Sequence, residues 1–198
     1  MPAGPPPFTV SYSKVERALI EMHGISAADI LAFRSRFGAL QRGGLFGAEN
    51  QPGKGRRIVY GTDQLHRAVL AFELVQAGIG PSAILRLIAD YWTDRLRDIF
   101  SKAEGASMHG SSDVILILAG IAMGFGDEAT PNVNYVTADK LPERLTFALD
   151  GKHLPARAVL VNLSAQLRKF HDALVRYHLQ RDDLDRPTPK AKKKPRKR

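Results

Sequence analysis

Apolar side chains recur at helical spacing along several stretches of this chain and switch to alternating or continuous runs elsewhere. Val15, Leu19 and Met22, with Ala18 on the same side, predict a first helix from Ser13 to His23 that ends at Gly24. Ser26 is placed to cap a second helix over Ala27–Phe37, because its hydroxyl can accept a bond from a backbone N–H two or three residues on. Ile30, Phe33 and Phe37 then fall on the inner side. Two helices joined by a short Gly-containing turn are a helix-turn-helix signal. Gly38–Gly55 holds six glycines and a proline and predicts a loop with at most a short strand near Leu40. Arg56–Tyr60 reads as a strand, with Ile58 and Tyr60 on one face and Arg57 and Val59 on the other. Thr62 or Asp63 caps the next helix, whose core side is Leu65, Val69, Phe72 and Val75 and whose stop is Gly78. Pro81 starts another, where a missing N–H is harmless. That helix is expected to run from Ser82 to about Lys102 through Ile84, Leu87, Ile88, Tyr91, Trp92, Leu96 and Ile99.

The pattern changes at Gly105. GASMHGSSD reads as a linker, and DVILILAGIAMGF begins as a buried strand. Val133–Thr137, Leu145–Leu149 and Ala158–Val161 are further strand candidates, with Asp150-Gly151 as a hairpin signal between the last two. Ser164 to about Leu179 is a helix carrying Leu167, Phe170, Leu174 and Tyr177 at helical spacing. These elements divide the chain into a Pro-rich arm over 1–10, a helical domain over 11–104, an α+β domain over 105–181 that serves dimerisation or partner binding, and a disordered tail over 182–198.

Charge relocates rather than strengthens the functional signal. The net charge of +9 suggests a basic protein, but residues 186–198 alone hold eight Lys and Arg and no acid. Residues 1–185 carry 21 basic and 20 acidic side chains, so a basic surface on the folded body requires local clustering. With 44% apolar residues the chain can bury a substantial core. No apolar run reaches the ~18 residues of a membrane span. The opening MPAGPPPF lacks the pattern of a secretory signal. Cysteine is absent, which removes disulfides, thiolate metal sites and cysteine nucleophiles and agrees with a cytoplasmic setting.

Catalytic chemistry finds no footing. The histidines His23, His66, His109, His153, His171 and His178 form no metal spacing; His171 and His178 share a helix face without a companion ligand set. Asp127-Glu128 are adjacent and diverge, Ser111 and Ser112 lack a nucleophile elbow, and Gly53-Lys54-Gly55 has the wrong spacing for a P-loop. No enzyme activity, metal or cofactor is expected. Tyr91, Trp92, Phe100 and Phe125 fit a core or dimer interface better than an effector pocket.

Residues 12–90 resemble the DNA-binding domain of the mercury-resistance (MerR) regulator family. The likeness lies in Gly24-Ile25-Ser26 for the turn, Phe33 in the recognition helix, Ile58-Val59-Tyr60 for the second wing strand and Asp63-Gln64-Leu65 for the third helix start. Its longest part is Ala77-Gly78-Ile79-Gly80-Pro81-Ser82-Ala83-Ile84 at the following corner. Leu31, Ala32 and Phe33 stand where the family usually carries an arginine and two aromatics, with Arg34 and Arg36 slightly later. The resemblance implies an α+β, mainly helical fold: an N-terminal winged helix-turn-helix followed by a small antiparallel sheet with a covering helix.

It also implies a bacterial-type transcriptional regulator acting as a homodimer on double-stranded promoter DNA, in the nucleoid and in reach of RNA polymerase. Lys54, Arg56 and Arg57 would meet phosphates from the wing. Ser26, Asp29, Arg34 and Arg36 would belong to the helix in the major groove, and Lys14 and Arg17 would touch backbone from the first helix. Lys192, Lys193, Lys194 and Arg196 in the tail would add sequence-independent attraction. Two alternatives stand beside this reading. One is an architectural DNA-binding protein driven by the tail; the other is an adaptor that docks its helix-turn-helix on polymerase or another protein.

Overall fold

The computed structural model describes residues 10–47, 59–119, 132–149 and 158–181. They form a mainly helical structure with a small three-stranded antiparallel sheet. In chain order the elements are β1 (Val10–Ser11), α1 (Tyr12–Met22), α2 (Ile30–Arg42), β2 (Val59–Tyr60), α3 (Thr62–Gln76), α4 (Pro81–Tyr91), a π-helical turn (Trp92–Leu96) and α5 (Arg97–His109). Then follow β3 (Val114–Ala119), β4 (Asn132–Thr137), a 3-10 turn, α6 (Leu141–Leu149), β5 (Ala158–Asn162) and α7 (Leu163–Arg181).

Glycine sets the first corners. Gly24 adopts φ +60° after α1, Gly24 N–H donates to Glu21 O at 3.1 Å and Ile25 N–H to Ile20 O at 2.9 Å. Gly78 repeats the geometry after α3 at φ +81°, with bonds to Val75 O and Leu74 O. Each satisfies the last free helix carbonyls through a left-handed residue that glycine accepts without strain. The two-stranded ribbon pairs Val10 with Tyr60 and Ser11 with Val59, antiparallel. Val10 is therefore a strand residue and buried, not part of a disordered arm.

Several expected elements are corrected. α2 begins at Ile30 rather than Ala27 and continues through Gly38 to Arg42, so Leu40 is a buried helical residue rather than part of a loop strand. Ser26 does not cap the backbone; its hydroxyl donates to Asp29 Oδ2 at 2.6 Å, and Asp29 holds the N-cap position. Gly61, not Thr62 or Asp63, precedes α3, and its N–H donates to Gln64 Oε1 at 3.0 Å. The Asp63 carboxylate instead accepts from Arg97 and from Trp92 Nε1. Of the expected linker Gly105–Asp113, the first five residues continue α5 to His109, and only Gly110 (φ +66°) to Asp113 connect it to β3. The boundary drawn at 104/105 thus falls within a helix. Leu145–Leu149 is part of helix α6, not a strand; Asp150-Gly151 lies outside the described residues.

The sheet runs β4-β3-β5, with Leu116 facing Tyr135 and Val161 across the two ladders. Val114, Leu116 and Leu118 turn into the main core, while Ile115 and Ile117 turn to a second cluster with Val136 and Leu141. α5 and α7 pack on the main-core face. α7 also lies along α1: Val15, Ala18 and Leu19 share one buried cluster with Leu167, Phe170 and Leu174, and Arg176 pairs with Glu21 at 2.6 Å. The fully buried Ser164 fastens this junction. Its hydroxyl accepts from Val114 N–H at 3.0 Å and donates to Ala103 O at 3.1 Å, tying α7 to β3 and α5. Ser164→Ala leaves the Val114 amide buried without an acceptor and is expected to lower unfolding free energy by about 1–3 kcal/mol. Urea denaturation followed by circular dichroism measures it; an unchanged midpoint contradicts that role. Among the described residues no helix is long and apolar enough to cross a membrane.

Candidate nucleic-acid interface

α1, the Gly24–Asp29 turn and α2 form a two-helix unit backed by α3. Aromatic packing fixes the angle of α2. Phe37 is fully buried and touches Tyr12 (centroids 5.3 Å apart), Phe46 (5.9 Å), Phe72 (5.4 Å) and Phe33 (6.1 Å). Gln41 Nε2 donates to Tyr60 Oη at 3.0 Å and joins the end of α2 to β2. With Phe33, Phe37, Leu40 and Gln41 inward, the helical period points Leu31, Ser35 and Arg42 directly outward. Arg34 and Arg36 fall on the two flanks of that outward stripe.

The flanking arginines have different surroundings. Arg34 Nε donates to Glu16 Oε1 of α1 at 2.5 Å, and this partner raises the guanidinium's pKa. Glu16 is mostly buried, so the pair locks α1 to α2 at their outer seam. Arg36 borders a half-open cleft of about 270 Å³ whose lining includes His23, Ser26, Asp29, Phe33 and Phe72. No carboxylate among the described residues pairs with it. α2 itself carries three arginines and no acid.

The remaining sequence candidates are spread more widely. Ser26 and Asp29 bond to one another at the turn, exposed. Arg17 is exposed on α1 with its guanidinium 6.0 Å from the Tyr177 ring of α7, which turns it toward the C-terminal helix rather than toward α2. Lys14 is half-buried near the start of α1. Lys54, Arg56, Arg57, Lys192, Lys193, Lys194 and Arg196 lie outside the described residues, although the segment bearing the first three runs directly into β2. Arg42 is an addition: it sits on the outward stripe of α2, in a stretch expected to be loop.

Two histidines behind this surface are held neutral. His23, at the end of α1, has Nδ1 3.6 Å from Glu73 Oε1 and its ring beside Phe72. His66 of α3 stacks on Phe100 at 4.9 Å, with Nε2 3.9 Å from Glu104 Oε2. Burial pushes both imidazoles down to about 4, helped at His23 by Lys169 and at His66 by His171. Burial pushes the Glu73 carboxyl upward. Of the aromatics weighed as an effector pocket, Trp92 and Phe100 are buried and tilted together at 5.5 Å, as core; Phe125 lies outside the described residues. Among the described residues no three His, Asp or Glu side chains gather as a metal site.

No protein-family model matches this chain, and no curated protein matches it.

The surface therefore has to be read from its own chemistry. It offers an outward helix face of small and apolar side chains, cations on both flanks and at its end, and a backing core that fixes its direction. Such an arrangement can enter the groove of a polyanion or meet an acidic protein surface.

Proposed function

We propose that the chain is a sequence-specific, MerR-like DNA-binding transcriptional regulator that acts as a homodimer on promoter DNA. In this reading α1 and α2 form a winged helix-turn-helix, with α2 in the major groove. Lys54, Arg56 and Arg57 form the phosphate-binding part of a wing rooted on the β1–β2 ribbon. The observation that carries the reading is α2 itself: three arginines and no acid between Ile30 and Arg42, on a helix whose orientation the core fixes, with Asp29 at its N-cap and Glu16 beside Arg34. Arg36 and Arg42 are available for phosphate contacts, whereas Arg34 is engaged by Glu16 and serves chiefly to hold α1 against α2. Contacts to the nearby polymerase and a nonspecific grip by the tail belong to the same proposal.

The test is a fluorescence-anisotropy titration of the full chain against duplexes selected from a random library. Binding should prefer the selected duplex over a scrambled one. Arg36→Ala and Arg42→Ala should each weaken binding to all duplexes and reduce the salt slope by about one. Deleting residues 186–198 should lower affinity and keep the preference. Equal affinity for every duplex, or loss of nearly all binding with the tail alone, favours the architectural alternative and defeats this one.

A further inference from the structure

Leu31 is 77% exposed, the most exposed large apolar side chain among the described residues. It is the second residue of α2, on the outward stripe, with exposed Ala32 next in the helix and Ser35 one turn on; Ala28, in the turn before the helix, is also exposed. A single exposed leucine needs no explanation by itself. Its setting does: it opens a helix whose own charged side chains are Arg34, Arg36 and Arg42, with Asp29 exposed at the N-cap and Arg34 held by Glu16. A surface complementary to this helix is anionic where it meets Arg36 and Arg42 and apolar where it meets Leu31. A DNA major groove has that form. Phosphates line both margins, and the C5-methyl of thymine is the one apolar group that a base pair presents on the floor.

We infer that Leu31, flanked by Ala28 and Ala32, reads thymine through its C5-methyl group, so that the bound site carries a T·A pair of fixed orientation opposite the start of α2 in each half-site. The inference rests on the DNA-binding reading above and deepens it. Selectivity at this position then comes from burial of a methyl rather than from a hydrogen-bonded arginine. The helix can supply no bidentate arginine there, because Leu31 and Ala32 occupy the places and Arg34 is turned to Glu16.

The experiment replaces each thymine of the selected duplex, one at a time, by deoxyuridine, which removes only the methyl. Affinity for the full-length chain should fall roughly fourfold at one or two positions per half-site, the equivalent of one methyl buried, and stay level elsewhere. Leu31→Ala should bind the original duplex more weakly and lose the T-to-U difference at those same positions. Its thermal unfolding should be unchanged, since Leu31 is outside the core. Specific binding that is indifferent to deoxyuridine at every position overturns the inference and leaves the DNA-binding reading standing. So does a Leu31→Ala protein that keeps the full T-to-U difference. If no duplex is selected at all, both fall together.

Discussion

Phe37→Ala is expected to destabilise the protein by about 3–5 kcal/mol, the range for deleting a large buried aromatic. The size follows from how many rings lose a neighbour. Phe37 contacts Tyr12 of α1, Phe33 of α2, Phe46 after α2 and Phe72 of α3. None of these is free to collapse into the space, because Phe46 also packs on Tyr60 at 4.6 Å and Phe33 on Phe72 at 4.7 Å. A stable protein of this size has only about 5–15 kcal/mol in total, so the variant should show a sharply lower urea midpoint. Because Phe37 fixes the direction of α2, any DNA binding should weaken in step. A midpoint within experimental error of the parent protein contradicts the hub role, and Leu31→Ala, on the opposite side of the same helix, provides the comparison whose stability is unchanged.

The second large effect is loss of stability on mild acidification. An imidazole in the unfolded chain takes a proton near pH 6.5, whereas folded His23 and His66 resist it until about 4. Between those values the unfolded state binds more protons, so stability falls as pH falls. The contribution is fully present above about pH 6.5 and gone near pH 4, and is worth about 3 kcal/mol for each histidine. Glu73, whose pKa is raised, acts in the opposite sense at the His23 site, so His66 gives the cleaner readout. Asp113 is held below the ordinary carboxylate range by Arg168 and acts only at lower pH. Unfolding free energy measured at pH 7.5 and 4.5 should therefore differ by several kcal/mol, and His66→Phe should remove more than half of the difference, because Glu73 offsets part of the His23 contribution. A flat profile between those pH values contradicts neutral burial of both rings.

Much of the scaffold is legible from local signals where one physical cause dominates. Gly24 and Gly78 stop helices because the chain needs a left-handed residue there, and both stops are where the sequence places them. β4, β5 and α7 likewise lie close to their expected bounds because their faces are cleanly patterned. The misplacements have a common origin: glycine and turn residues look like stops, whereas burial of the residues beyond them keeps the helix going. Gly38 and Gly105 each weaken a helix by roughly 1 kcal/mol relative to alanine, but Leu40 beyond the first and Ala106 beyond the second are buried, which offsets that cost. In α6 the alternation of Leu145, Phe147 and Leu149 imitates a strand, while Pro142 and Glu143 just after Leu141 are the quieter marks of a helix start.

The candidate surface was less legible than the scaffold. Spacing places Arg34 and Arg36 near the outer side of α2. It does not show that Glu16, from another helix, occupies Arg34, because that pairing depends on how two helices cross. Arg42 is hidden for the simpler reason that the helix carrying it is longer than its pattern suggests.

The contact between α1 and α7 has a consequence for how the chain is made. Val15 and Leu19 are translated about 150 residues before Leu167 and Phe170, which share their buried cluster. Contacts of such sequence separation slow folding and leave apolar surface open in the interval. Until α7 is made and docks, the first helix therefore carries an unfinished apolar face.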